Sequence, residues 1–225
     1  MPRAKRLVVP GLPHHVMQRG VRSADIFRDD VDRELYLSLM RQHAEPKGVR
    51  FIAWCLMTDH VHLVVIPAEE DSLARGIGDA HRRYTRARNF REGVRGYLFQ
   101  GRFGSCVLDE KHLLAAVRYV ELNPVAAGIA ATPAAYEWSS AAYHLGRERA
   151  DPLVTDRTLL GLVDSWAEFL QDGIDEMAAK RLERALSGGL PCGSGEFVER
   201  LEKRFGRRLT PGRPGRPRKK GRKGH

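Results

Sequence analysis

Hydrophobic and polar positions along this 225-residue chain change period several times, and each change marks an element. Pro13 to Arg19 alternates like a strand, with His15 and Met17 on one side. Asp30 can cap a helix in which Val31, Leu35 and Leu39 recur every fourth residue, ending near Pro46-Lys47-Gly48. Phe51 to Met57 and His60 to Ile66 are two apolar, strand-like runs. Thr58-Asp59 between them has the length of a hairpin turn, although it lacks the glycine of the strongest turn signals. Ser72 opens a second helix that runs through an arginine-rich stretch to about Phe90. A short strand is expected around Phe103 to Leu108. From Lys111 to about Asn123 the pattern predicts a helix with Leu113, Val117 and Val120 on its apolar side.

The order strand, helix, hairpin, helix, strand, helix excludes an all-parallel sheet. It predicts an α+β fold, an antiparallel sheet with helices packed on it. The pattern weakens from Gly146 to Pro152, and beyond it the chain reads as helical: Asp156 to Gln171, Ile174 to Leu186, then Phe197 to Phe205, with Ser194 as cap and Gly206 as stop. Pro211 to His225 is too rich in Pro, Gly and cations to fold alone. The expected division is a main domain over 1–146, a helical C-terminal extension over 147–209 and a disordered basic tail over 210–225.

With 42% hydrophobic and 29% charged residues, the composition is that of a soluble globular protein, and no apolar run approaches a membrane span. Pro10 and Pro13 interrupt the apolar stretch after the basic N-terminus, so no signal peptide is read there. Cys55, Cys106 and Cys192 are odd in number and widely spaced, which fits neither a disulfide framework nor a zinc ribbon and suits a reducing cytoplasm. The net charge of +10 is not evenly spread. Eleven Lys and Arg follow Glu202 with no acidic residue among them, which leaves the preceding chain at about −1. A second basic zone holds eight arginines between Arg75 and Arg102 against Asp79 and Glu92. Two such zones on a near-neutral body are an electrostatic footprint for a polyanion. A solvated helix face plus a disordered end would give the same charges.

Candidate chemistry begins at His60-Val61-His62. Side chains alternate along a strand, so both imidazoles face the same way and can share one metal ion. Two histidines on an ordinary sheet face fit the tripeptide equally well. Tyr119 and Asn123 stand four residues apart on one helical face, where the Asn123 amide oxygen can complete a two-nitrogen, one-oxygen set beside the Tyr119 hydroxyl. A pre-proline Asn ending its helix next to a half-buried Tyr is the plainer reading of that pair.

Taken together, the blocks resemble a known family. Leu56-Met57-Thr58-Asp59-His60-Val61-His62-Leu63-Val64-Val65 resembles the His-hydrophobic-His strand of single-tyrosine transposases. Pro13-His14-His15-Val16-Met17-Gln18-Arg19-Gly20, Phe99-Gln100-Gly101-Arg102-Phe103 and Arg118-Tyr119-Val120-Glu121-Leu122-Asn123-Pro124-Val125 resemble further blocks of it. Among its branches the similarity is to the REP-associated tyrosine transposases, over roughly residues 7 to 145. The resemblance implies a ferredoxin-like sheet, His60, His62 and Asn123 as metal ligands, and Tyr119 as nucleophile. It also implies Mg²⁺ or Mn²⁺ as the divalent cofactor. Expected partners are single-stranded DNA and hairpins such as repetitive extragenic palindromes (REPs), bound by a monomer or homodimer in the cytoplasm, at the nucleoid. One departure is visible: Thr58-Asp59 stands where the family usually has Pro-Asn, placing a carboxylate near the metal.

Free tyrosine ionises near about 10, so a divalent cation that polarises the scissile phosphate would assist the attack. The product would be a 5′-phosphotyrosine and a free 3′-hydroxyl, and rejoining would need no ATP. No residue stands out as general base. Tyr84, on the basic helix, is the rival nucleophile, but with Arg88 rather than an amide four residues on it reads first as a packing or DNA-contact residue. His14 and His15 are expected to be structural or DNA-facing, and His112 to lie at the surface. In the tail, Gly212-Arg213-Pro214 and Gly215-Arg216-Pro217 resemble an AT-hook, which enters narrow minor grooves. Three alternatives stay open: a hairpin-binding regulator that no longer cuts, a replication or plasmid-transfer initiator, and a zinc hydrolase. The second usually carries further domains, and the third lacks an accompanying acid or base beyond Asp59.

Overall fold

The computed structural model describes residues 6–155 and 158–210. The basic tail with both Gly-Arg-Pro segments, and Asp156 as a helix start, lie outside the described residues.

Four strands, β1 (His14–Arg19), β2 (Val49–Leu56), β3 (His60–Pro67) and β4 (Gly104–Val107), form one antiparallel sheet in the order β2-β3-β1-β4. Helices α1 (Asp30–His43), α2 (Ser72–Arg75) and α3 (Ile77–Glu92) cover one face. There Tyr36, Met40, Ile77 and Tyr84 pack with Val16, Trp54, Val61 and Leu63. The other face carries α4 (Glu110–Ala126), and the later helices α5 (Ala141–His144), α6 (Trp166–Gln171) and α7 (Glu176–Gly188) follow it. Val117, Val120, Trp166, Leu170, Leu182 and Leu186 meet Cys55, Val64 and Cys106 in that second core. Helix α8 (Gly195–Phe205) lays Phe197 and Leu201 against Leu7, Val9 and Val107. The fold is thus the α+β, ferredoxin-like sheet that the sequence implied. Helices on both faces explain why β2 and β3 read as continuous apolar runs rather than alternating ones. A bulge between Phe51 and Ala53 lets β2 switch which side chains meet each core.

The hairpin turn holds without glycine because other segments bind its carbonyls. Thr58 O accepts from Ile26 N (2.8 Å) and Phe27 N (3.2 Å), and Asp59 O from Gly20 N (2.8 Å). Both sheet edges are covered as well. Ser140 N donates to Trp54 O (3.0 Å) beyond β2, and Cys192 N to Val107 O (2.8 Å) beyond β4.

Four expectations about helices change. In α1 the buried residues are Asp32, Tyr36, Leu37 and Met40, while Val31 is 60% exposed. A strict four-residue repeat drifts about 40° per step around a helix of 3.6 residues per turn, so it leaves the core face. The helix read from Ser72 to Phe90 is broken at Gly76 (φ −81°, ψ −74°), where an added Cβ would stand 2.9 Å from Ala44 Cα. Close approach to the end of α1 sets that break. Helix α4 does not stop before Pro124 but runs to Ala126, with Ala127 N still bonded to Asn123 O at 2.9 Å. Proline removes one backbone donor, and burial of α4 on the sheet outweighs it. The single helix read from Asp156 to Gln171 is instead a 3₁₀ turn, Thr158–Leu162, and the six-residue α6, restarted by Ser165 capping Glu168 N at 3.3 Å.

Among the described residues no helix is long and apolar enough to cross a membrane. The three cysteines are buried and unpaired.

Candidate active site

Alternation along β3 puts His60 and His62 on the α4 face, while Val61 is fully buried in the opposite core. Strand β1 sets Arg19 opposite His60 and Met17 opposite His62. Asp109 caps α4 through His112 N (2.9 Å), and Leu113, Ala116, Val117 and Val120 seat it on the sheet. That seating turns Tyr119 toward the imidazoles. Its ring stands edge-on to His62 with centroids 5.5 Å apart, and the His60 and His62 rings are 5.0 Å apart and nearly perpendicular.

Each imidazole has its Nδ1 engaged: His60 with Asp59 Oδ1 at 2.5 Å, His62 with His15 Nε2 at 2.9 Å. Neither Nε2 has a hydrogen-bond partner among the described residues. Burial, then the neighbouring His15, His60 and Arg19, holds His62 well below the usual imidazole range. Burial pushes His15 down to about 3. His62 is therefore neutral at neutral pH, the form that binds metal. Among the described residues, no three His, Cys, Asp or Glu converge as a metal cluster. His60 and His62 share the pocket with Tyr119, whereas Asn123, the third expected ligand, is not among its lining residues.

The Tyr119 hydroxyl donates to Glu183 Oε1 at 3.4 Å. Burial first, and then the Glu183 carboxylate, raise its pKa above the ordinary tyrosine value, while the Asn123 side chain and Arg19 pull it back. Asn123 stands one turn after the tyrosine on the same helix, close enough for its side chain to act on that pKa. Tyr119, Glu183, His60 and His62 line an open pocket of about 470 Å³, with Arg19 and Arg102 as its cations.

His15 and Glu183 are participants that sequence reasoning missed. His15 had a signal, since alternation puts it on the side of Met17, but only the β1–β3 pairing shows that this side carries His62. Glu183 had none. It is an exposed-face residue of an amphipathic helix, brought in by the packing of α7 beside α4.

Of the other expectations, the structural reading of His14 and His15 and the packing reading of Tyr84 hold, and the surface reading of His112 does not. His14 is fully buried and faces no DNA: Val9 N donates to its Nε2 (3.2 Å) and its Nδ1 bonds to Leu12 O (2.8 Å). His15 is equally buried and holds His62. His112 is not a surface residue but joins Asp109 (2.6 Å) to Arg181 of α7 (3.3 Å). Tyr84 is fully buried, donating to Ile26 O at 2.6 Å, with its pKa raised by burial. The arginine zone is partly neutralised: Arg88 is buried between Asp32 and Glu92, Arg91 meets Asp29 and Asp32, and Arg75 and Arg82 pair with Asp71 and Asp79. Arg83, Arg86, Arg95 and Arg102 have no ion pair among the described residues.

On its inner side α4 is fixed by a fully buried carboxylate. Glu121 Oε1 accepts from Ser140 Oγ (2.7 Å) and meets His144 Nδ1 (2.5 Å), while Oε2 accepts from Trp166 Nε1 (2.9 Å).

An antiparallel sheet with paired imidazoles under a tyrosine-bearing helix defines a class, and comparison gives the family. Residues 8–123, more than half of the chain, match the family described as "Transposase IS200 like". The chain belongs to the IS200-like transposases, and its class of enzyme is that of DNA transposases, which bind and move DNA. Among solved structures, a REP-associated tyrosine transposase bound to a REP hairpin is 18% identical, with a TM-score of 0.53 over 70% of this chain and 96% of that one. A proposed transposase of Deinococcus radiodurans is 21% identical, with a TM-score of 0.37 over 54% and 96%. Comparison with curated protein sequences gives no match.

Proposed function

We propose that this chain is a metal-dependent, single-tyrosine DNA strand transferase that cuts and rejoins single-stranded DNA beside a hairpin. The observation that carries the reading is the Tyr119 ring against His62, beside two imidazoles whose outer nitrogens are without partners. IS200-like transposases generally depend on a divalent metal, and the hairpin partner follows from what the REP-associated relative binds.

His60 and His62, through Nε2, and the Asn123 amide are the residues that would hold the cation. A divalent ion there, Mg²⁺ or Mn²⁺, supplies polarisation of the scissile phosphate. Asp59 and His15 orient the two imidazoles, as outer partners of ligating histidines do. Tyr119 attacks phosphorus through its phenolic oxygen. The bond to the 3′ oxygen breaks, that oxygen takes up a proton from solvent, and the 5′ phosphate remains esterified to Tyr119. Glu183 is the carboxylate in reach of the phenolic proton. Arg19 and Arg102 face the incoming phosphates across the pocket.

The test is a hairpin-bearing single strand incubated with Mn²⁺ or Mg²⁺. A covalent adduct mapped by mass spectrometry to Tyr119, absent from Tyr119→Phe, is the expected result. An adduct on another tyrosine would overturn the assignment. Hairpin binding with no adduct under any divalent ion would instead make the chain a silent hairpin-binding regulator.

A further inference from the structure

The Phe99-Gln100-Gly101-Arg102-Phe103 block takes little part in the chemistry above, yet it stands where the two faces of the sheet meet. Strand β1 pairs with β4 only as far as Met17, so Gln18 and Arg19 extend past the end of β4. The block fills that open edge. Gln100 N donates to Arg19 O (2.9 Å), and Gln18 Nε2 to Gly101 O (3.1 Å). Gly101 makes the bend at φ +74°, a conformation that side chains with a Cβ rarely adopt.

On one side of this lip lies the pocket of Tyr119. On the other, between α3 and residues 96–103, lies a second cavity of about 810 Å³, and Gln18 and Arg102 are walls of both. Phe99 and Phe103 border the second cavity but are buried, with Arg6 laid over the Phe103 ring at 3.7 Å, whereas Tyr97 stands on it 90% exposed. Arg82 and Arg102 border it, and among the described residues no carboxylate lines it. An exposed ring face with cations around it suits a stacked base whose phosphate stays outside.

We infer that this groove holds unpaired nucleotides adjoining the scissile phosphate, with a base laid on Tyr97. This rests on the proposed reading of the chain as a single-strand DNA transposase. The strand passes from the Tyr119 pocket over Gly101 and Arg102, around the sheet edge, and into the groove. Arg102 meets a phosphate at the crossing. A paired stem shows only base edges in its grooves and offers no ring face to Tyr97, so the occupant is unpaired.

The experiment uses full-length Tyr119→Phe protein, so that cleavage consumes nothing. Binding is measured to an unstructured oligonucleotide of about eight nucleotides and to its duplex, with Tyr97→Ala and Tyr97→Phe added. Tyr97→Ala should weaken the unpaired strand by about ten- to a hundredfold and leave the duplex within about twofold. Tyr97→Phe should restore binding, because the ring face remains. Iodouracil in the strand should photo-crosslink within residues 96–103. Equal losses for both DNAs, no loss for either, or crosslinks confined to α8 would overturn the inference. Failure of the nucleophile assignment is separable: Tyr97-dependent binding would persist where wild-type protein forms no adduct at Tyr119.

Discussion

Two tyrosine–histidine pairs lie on opposite faces of one sheet. On the α1/α3 face, Tyr36 and His81 stack with centroids 5.8 Å apart, and the hydroxyl bonds to His81 Nε2 at 2.9 Å. On the α4 face, Tyr119 meets His62 edge-on at 5.5 Å, its hydroxyl turned to Glu183 and the His62 Nε2 without a partner. Both histidines are neutral, His81 pushed down to about 3 by burial. What differs is that the hydroxyl and Nε2 of the first pair satisfy each other, even where His81 borders the second cavity, whereas the second pair keeps an open nitrogen beside the Tyr119 pocket. Residue type therefore says little about chemistry here. Unengaged valence at a cavity says much more.

The largest expected effect breaks the two faces apart. Tyr119→Phe should lower cleavage by at least about a thousandfold while changing unfolding free energy by less than about 0.5 kcal/mol. Tyr84→Phe, in the buried core of the other face, should do the opposite. It leaves Ile26 O without its donor, costs about 1–3 kcal/mol in a denaturant titration, and changes cleavage only a few-fold. Comparable cleavage losses in the two variants would end the distinction.

Metal binding sharpens the same contrast. His62→Ala should weaken Mn²⁺ binding, read by calorimetry, by about a hundredfold, whereas His81→Ala should leave it unchanged and lower stability by about 2–4 kcal/mol. Removing divalent ions with EDTA should abolish cleavage and spare hairpin binding. Mn²⁺ affinity that survives His62→Ala would move the metal elsewhere.

A smaller effect concerns the tail. Glu202 accepts from Leu209 N at 2.6 Å and Leu209 is buried, so a clean truncation falls after Thr210 rather than after Glu202. The shorter chain loses seven Lys and Arg. If all seven meet phosphates, the slope of log affinity against log salt on single strands falls by about 5, with cleavage at saturation retained. Identical slopes would show that the tail does not engage DNA.

The smallest effect is electrostatic. Glu183→Gln removes the negative charge beside Tyr119, and the hydroxyl's pKa should fall toward the ordinary tyrosine value. Ultraviolet titration against the Tyr119→Phe blank reads this directly, and an unchanged pKa would place Glu183 outside electrostatic reach.

Local periodicity made the sheet, α1, α4, α7 and α8 legible, because each buries one face in a two-sided core. Its failures were tertiary. Gly76 breaks a helix to clear Ala44, and Pro124 is carried inside α4 because that helix is held by the sheet. The His-x-His strand and the Tyr119–Asn123 spacing were readable from alternation and helical pitch. The site's other members come from pairing and packing across 47 and 64 residues, in His15–His62 and Tyr119–Glu183, which no local pattern encodes. The eight arginines were counted correctly, but counting could not see the carboxylates of α1 that neutralise Arg88 and Arg91.

Glu121 bears on the freedom of motion left to Tyr119. Two positions after the tyrosine, it is gripped by Ser140, His144 and Trp166 in a dry interior. Turning α4 about its own axis would strand that carboxylate among apolar neighbours, at a cost of several kcal/mol. Axial rotation is thereby closed to the helix. Any excursion of the phenol, in the proposed cutting and rejoining, must come from its own χ1 and χ2 torsions or from α4 and the sheet moving as one piece. The reach of that oxygen is then the arc swept by one tyrosine side chain, and under the proposed chemistry DNA ends to be joined must be delivered within that arc.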